Sequence, residues 1–480
     1  MLRDETKGIA ILMNILIQNQ LDDNKISNIY NSAIDILCEV GIECDHKMTV
    51  DILKERGRIT YNNKRIFFDR NTLEEFFEKK IKGNAKLDIQ KETVFQMGGS
   101  WQALEYCDPV ENIPRFATPE EVVQMTKLSE VLGGRHCTIP VMQGKLNPSL
   151  NSLNSERIAL IHTKTMGGSS TVIDREEINI ISQMHMAAGR KFTLSLSGLI
   201  SPLKLNPEVL TAYFDQRDNK NLNVNMMGVI SMAGATAPLV FPANLSLMLA
   251  EAIGLNFVVH TISDGELGIF NFRLDPFDFK SGNVVYGSPN WCIYMKIASE
   301  LSVGLTGRRG VWGSFRSNAK SVDAQSMMER TASALWQALL GTRYFSAVGQ
   351  ICVDAVFSPV QAVLDREILK YLKSLFADVI NIGWFDDIDI VALVKEGVDG
   401  NSFLDNQTTI DYFRKMYDFD VLSSYSNLGT WKKDGGKTMN SLAWEDAQAL
   451  IKSHDFELDE TKRRDVESLF EVGVKYIKNR

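Results

Sequence analysis

The sequence predicts an α/β protein built on a (β/α)8 TIM barrel, with an N-terminal mixed helical module and a C-terminal helical extension. Three observations point there. From about residue 117, short β-prone runs alternate with helical stretches, as repeated right-handed β-α-β units require. Seven such runs fall within roughly 240 residues, the arithmetic of a closed barrel. One loop, "SMAGATAP" after "NVNMMGVI", is uncharged and built of small residues between two apolar segments, which suits the rim of a barrel rather than a solvated turn. The expected boundaries are 1–116 for the module, 117–385 for the barrel and 386–480 for the extension.

The N-terminal "GIAILMNILIQNQL" follows a mixed, acidic flank and precedes no small-residue cleavage site, so an amphipathic docking helix is expected there. "KISNIYNSAIDILCEVGIEC" carries Ile26, Ile29, Ala33, Ile36 and Leu37 at helical spacing and stops at Gly41. "TVDILKERGRITYNNKRIFFDRNTLEEFFEKK" then reads as helix, hairpin turning at Asn62-Asn63, and helix. "TPEEVVQMTKLSEVL" opens on a capping box, Thr118 with Glu121.

The expected strands are "HCTIPVMQG", "KTMGGSS", "FTLSLSG", "NVNMMGVIS", "NFVVHTISD", "SVGLTGRRGVWG" and "TRYFSAVGQ". Between them lie helices such as "EEINIISQMHMAAG", "PEVLTAYFDQ", "PANLSLMLAEAIG", "PNWCIYMKIASELS" and "DAQSMMERTASALWQALLG". The eighth strand has two candidate sources, "VINIGWFDD" and the region near "VFQMGGS". Thr236 or Ala237 is expected to cap the helix after "SMAGATAP", with Pro238 near its first position. The tail is helical and polar. Its "GGKT" has Trp431 where a phosphate-binding loop needs glycine, so that motif is rejected.

Composition narrows the function. The 480 residues are 44% hydrophobic and 23% charged, with a net charge of −8 and no basic stripe, which excludes a nucleic-acid surface as the main business. Six scattered cysteines form no C-x-x-C pair, the pattern of a reducing cytoplasm. The apolar run Leu245–Ile262 contains Glu251 and His260 and reads as buried helix followed by strand, not as a membrane span. Six histidines show no metal spacing, and no hydrolase or dinucleotide motif is present, so no metal site is expected.

Active sites of barrels lie at the C-terminal strand ends. There the sequence places Gln143, Ser197, Met227, Trp312, Phe315, Ser346 and Gln350 as candidate substrate-binding residues. Trp312 and Phe315 either plug the barrel mouth or form an aromatic cage for a quaternary ammonium.

Several landmarks resemble the trimethylamine methyltransferase family of corrinoid-dependent enzymes, in the branch that lacks pyrrolysine and includes betaine demethylases. They are "IYNSAIDILCEVGIECDHKMTVDILKERG", "FATPEEVVQMTKLSEVL", "SPLKLNPEVL", "MAGATAP", "FDFKSGNVVYGSPN", "NAKSVDAQSMMERTASALWQALLG" and "LDREILKYLKSLF", in this order across roughly residues 26–450. The resemblance implies transfer of a methyl group from a small methylated amine to the Co(I) of a corrinoid on a separate protein. The nucleophile then arrives with the partner, and no catalytic side chain is needed here. The partner is expected on the rim, against Gly234, Ala235, Thr236, Arg308, Arg309 and Arg316, with the arginines facing its acidic groups or a substrate carboxylate. A homo-oligomer is also expected. Two departures touch the pocket: "WQALEYCD" follows "QMGGS" where relatives have small residues, and Ser346 stands where many carry histidine.

Overall fold

A computed structural model of the chain describes residues 19–82, 95–100, 102–134, 141–144, 146–167, 172–268, 270–307, 313–376, 388–400, 402–417 and 422–480. Within them the protein is α/β, with helices packed around several small sheets. The expected docking helix at the N-terminus and the "VINIGWFDD" segment lie outside the described residues.

The N-terminal module follows the sequence closely. Helix Asp23–Asp35 is capped by Asp22, whose carboxylate accepts from Lys25 N, and it buries Ile29, Ala33 and Ile34. A wider turn, Ile36–Val40, ends at Gly41 with φ +67°. Strands Ile59–Asn62 and Arg65–Phe68 form the hairpin, with Asn62 opposite Arg65. The turn residues are therefore Asn63 and Lys64, both at positive φ, one residue later than expected.

This module seats on the long helix Phe241–Ile262. At Gly254 a Cβ would meet the side-chain ends of Ile42 and Leu37, which would have to shift, so the glycine lets the two units approach closely. That helix overturns one expectation. "NFVVHTI" is not a strand but the helix's last two turns. The helix is apolar on every side because it runs through the core, with 89% of its apolar window buried, so it has no period to read. Its Glu251 is fully buried and accepts from Leu203 N (2.9 Å), Ser201 Oγ (2.7 Å) and Ser231 Oγ (3.2 Å), while burial raises its pKa.

Parallel strands run through the middle. Phe192–Leu196 pairs with Leu222–Met226. The chain kinks at Met227-Gly228 and continues as Val229–Ala233, which pairs with Phe272–Asp278. The kink is a change of partner: Met227 N bonds Leu196 O, and Val229 N bonds Asn271 O. Gly313–Ser314 pairs with Tyr344–Ser346, which pairs in turn with Gln96–Met97. Gln96–Met97, within "VFQMGGS", thus lies parallel beside the "TRYFS" strand.

Other expectations are corrected. "SVGLT" is the end of helix Pro289–Thr306, closed by Gly307 at φ +71°. "NFRLDPFDFK" holds the strand Phe272–Asp278, missed because Arg273, Asp275 and Pro276 disguise it. Lys164 to Gly167 form no strand, and the rest of "KTMGGSS" is outside the described residues. Helix Glu460–Asn479 closes back on helices Pro148–His162 and Arg175–Ala187. Gly473 meets Leu153, and the Tyr476 hydroxyl reaches Asp174.

Candidate active site

The parallel strands have two unlike faces. On one, Phe192, Leu194, Leu196, Leu222, Met226, Val229, Phe272 and Leu274 join a single apolar cluster. The registers then set the other face. Thr193 lies beside Asn223, Ser195 beside Asn225, and Ile230 beside Arg273. Asn223, Asn225, Ser197 and Ile230 are exposed there, and Thr193, Ser195 and Arg273 are partly exposed. A polar, open strand face is a place for a ligand rather than for packing.

Beside it stands a cluster that sequence reasoning missed. Arg273 donates from Nε to Asp275 (2.8 Å) and from Nη2 to the Tyr286 hydroxyl (3.0 Å). Asp275 is fully buried and also accepts from Trp291 Nε1 (3.0 Å). Arg316 donates from Nε to Asp354 (2.7 Å). Both guanidinium carbons sit 5.4 Å from the centroid of the Tyr286 ring. Burial pushes the Tyr286 hydroxyl up to about 12, against the pull of Arg273. Burial opposes the charge on Arg273, but the Asp275 carboxylate outweighs it, and the guanidinium stays above its ordinary range. Among the described residues, Nη1 of Arg273 and both Nη atoms of Arg316 carry no hydrogen bond. Their free donors and fixed charge suit a carboxylate. The one sequence signal was the Arg-x-Asp alternation inside an apolar strand.

The expected site residues separate into three groups. Ser197 and Met227 stand on the open side at the ends of their strands, Ser197 exposed and Met227 half-buried. Gln143 and Ser346 are half-buried and held: Gln143 accepts from Asn154 Nδ2, and Ser346 Oγ donates to Gly313 O (3.0 Å). Phe315 and Gln350 are fully enclosed, and in this conformation neither offers surface to a ligand. Phe315 packs on Phe345 at 5.3 Å between centroids. The carbonyl of Gln350 accepts from the buried Arg330, which also pairs with Asp365 at 2.7 Å. Trp312, Arg308 and Arg309 lie outside the described residues.

The loop "SMAGATAP" is a tight turn in which Ala235, Thr236 and Ala237 all donate backbone N–H to Met232 O. Thr236 Oγ1 accepts from Met232 N (2.9 Å). Thr236 is therefore spent inside the loop and caps no helix. The next helix starts at Phe241, with Val240 as its cap and Pro242 in its first turn. Gly234 has φ +87°, and a Cβ there would overlap the Phe279 ring. The smallness of this glycine serves the chain's own aromatic residue. Gly234, Ala235, Pro238, Leu239 and Val240 are exposed and form an apolar lip.

Among the described residues no group of three or more His, Cys, Asp or Glu side chains gathers as metal ligands would. The geometry offers a neutral polar strand face, a corner of two arginines with unbonded Nη donors, and an apolar lip.

Comparison with known proteins bears on what such a site is for. The family model for trimethylamine methyltransferase (MTTB) matches residues 4–470. A glycine betaine methyltransferase from Desulfitobacterium hafniense is 22% identical over 450 residues, covering 87% of this chain and 89% of the relative. A trimethylamine methyltransferase from Methanosarcina thermophila is 24% identical over 234 residues, covering 48% of this chain and 47% of the relative. One from Methanosarcina mazei is 24% identical over the same length, covering 48% and 46%. A match that runs through the module, the parallel strands and most of the helical extension leaves one reading: the chain belongs to the trimethylamine methyltransferase family.

Proposed function

We propose that this protein transfers a methyl group from a small quaternary amine that also carries a carboxylate to a corrinoid held by a separate protein. The carrying observation is the Arg273–Tyr286–Arg316 corner beside a neutral polar strand face. A bare cation such as a protonated tertiary amine gains nothing from the unbonded Nη donors of Arg273 and Arg316, whose charges are already balanced by Asp275 and Asp354. A donor with one charge of each sign is held at both ends. The glycine betaine methyltransferase among the relatives, matched along most of its length, supports the same choice.

The chemistry asks little of the side chains. The corrinoid supplies the methyl-accepting Co(I). As the C–N bond breaks, its electron pair stays on nitrogen and the positive charge there disappears. A carboxylate placed at the ammonium would hold the ground state more tightly than the transition state and slow the reaction. Asn223, Asn225, Ser195 and Ser197 offer neutral acceptors instead. Arg273 and Arg316 orient the donor through the end whose charge does not change, so their binding energy goes into position.

In this reading the parallel strands close into a (β/α)8 barrel within 117–385, with Gln96–Met97 entering from the 1–116 module and the 386–480 helices packed outside. The corrinoid protein docks over the lip at Gly234, Ala235 and Thr236, and the site is cytoplasmic. The purified protein, a Co(I) corrinoid protein and candidate donors test it by the change in cobalt absorption. Glycine betaine and related zwitterions are expected to react, and trimethylamine is not. Activity with trimethylamine alone, or methyl transfer without any corrinoid protein, refutes the reading.

A further inference from the structure

The turn that presents Asp354 is held in a conformation its residues resist. Strands Gln350–Ile351 and Val356–Phe357 pair antiparallel, and residues 352–355 turn between them. Cys352 (φ +53°) and Val353 (φ +68°) both sit in the left-handed region. Among the described residues Val353 is the one β-branched residue at positive φ, where its side chain crowds its own backbone. Such a conformation persists only where the surroundings over-determine it. They do so here. Cys352 N donates to Ala319 O (2.7 Å) and Val353 N to Ser317 O (2.9 Å), so the turn is stitched to the segment that follows Arg316. The same segment is tied to the chain at Tyr286: Asn318 Oδ1 accepts from Tyr286 N (2.6 Å), and its Nδ2 donates to Val284 O (2.9 Å). The Val353 side chain packs on the cluster of Tyr286, Trp291 and Met295. Glycine would make this turn without strain. What valine adds is a wedge against the tyrosine.

We infer that Val353 is a positioning residue for the carboxylate corner: it wedges the turn against Tyr286, so that Asp354 meets Arg316 at one fixed place. This rests on the proposed function, in which Arg273 and Arg316 take the donor's carboxylate. Asp354 Oδ1 accepts from Arg316 Nε at 2.7 Å. The guanidinium is planar, so holding Nε fixes the direction of both Nη atoms. Asp354 is itself one-third exposed, and its place depends on the backbone that carries it. Without the wedge, this carboxylate and the arginine it holds would sample several placements, and a ligand would have to order them on binding. That ordering costs affinity for a carboxylate and nothing for a cation that does not reach the corner.

Calorimetric titration of the full chain with glycine betaine and with tetramethylammonium, beside a thermal melt, tests this. Val353→Gly removes the wedge and relieves the strained φ. Betaine binding should weaken about 3- to 10-fold, the cost of ordering one long side chain. Tetramethylammonium binding should not change, and the melting temperature should stay within about two degrees of the parent. Val353→Asn tolerates the left-handed turn but offers no methyl groups. It should weaken betaine in the same way, and it keeps the test open if the glycine variant folds poorly. Val353→Ile keeps the wedge and should keep the parent's affinity; a loss there as large as in Val353→Gly overturns the inference. A residue that merely supports the fold would lower the melting temperature and leave the ratio of the two affinities alone. That outcome, or unchanged betaine binding in Val353→Gly, also overturns it. Arg316→Gln, titrated alongside, separates the two levels. If it loses betaine selectively and Val353→Gly does not, Val353 positions nothing and the proposed function stands. If neither variant discriminates between the ligands, the carboxylate corner itself falls, and the inference with it.

Discussion

Arg316→Gln separates recognition of a carboxylate from mere support of the fold. Arg316 is nearly buried, but its partner Asp354 is one-third exposed. Once unpaired, Asp354 is solvated, and the lost pair contributes at most about 1 kcal/mol to folding. A donor carboxylate would lose a charge-assisted contact worth about 1.5–3 kcal/mol. That is roughly 10- to 150-fold in Kd at 1.4 kcal/mol per tenfold. Calorimetric titration with glycine betaine and with tetramethylammonium makes the comparison, since the second ligand has no carboxylate. The expected result is weakened betaine binding, unchanged tetramethylammonium binding and a melting temperature within a degree or two of the parent. Equal loss for both ligands, or no loss for either, refutes the assignment of this corner to the carboxylate.

Gly234→Ala should cost about 1–2 kcal/mol in urea unfolding, from its left-handed φ and the overlap with Phe279. In a Phe279→Ala background only the backbone part, about 1 kcal/mol, should remain. Arg330→Met strands the buried carboxylate of Asp365 and should cost about 3–5 kcal/mol, whereas Arg330→Met with Asp365→Leu should recover most of it; a single mutant as stable as the parent would show the pair to be dispensable. Burial raises the Cys44, Cys107 and Cys292 thiols to about 11, so mass spectrometry should find them labelled by iodoacetamide at pH 8 about 100-fold more slowly than a free thiol. Fast labelling at any of the three would mean that its site opens.

The sequence was legible where local chemistry and burial agree. The Thr118–Glu121 capping box forms as read, and Gly41 stops its helical segment. Periodicity failed where an element is buried on all sides. Helix Phe241–Ile262 shows no polar face, and its β-branched "VVHTI" mimics a strand. The opposite failure hid Phe272–Asp278, whose inward charges look like loop residues until Asp275 is seen to hold Arg273. Site residues picked by their place after a strand were legible only in part. Ser197 and Met227 stand on the open side, but the alternation that enclosed Phe315 could not be phased without its neighbours. Arg273 and Tyr286 lie far apart from Arg316 in sequence, and only the fold brings them to one ring.

The last helix carries a consequence for how the chain is made. Helices Pro148–His162 and Arg175–Ala187 bury Leu153 and Ile180 beneath Gly473 of helix Glu460–Asn479. On the ribosome, the segment around Leu153 emerges some three hundred residues before its cover. At about 5–20 residues per second, that interval is tens of seconds. During it an apolar surface from the first half of the chain stays open to other nascent chains. Yield from the cell should therefore respond more to chaperone supply and growth temperature than the equilibrium stability of the finished protein would suggest. Damage to the final helix should appear first as aggregation and only afterwards as lost activity.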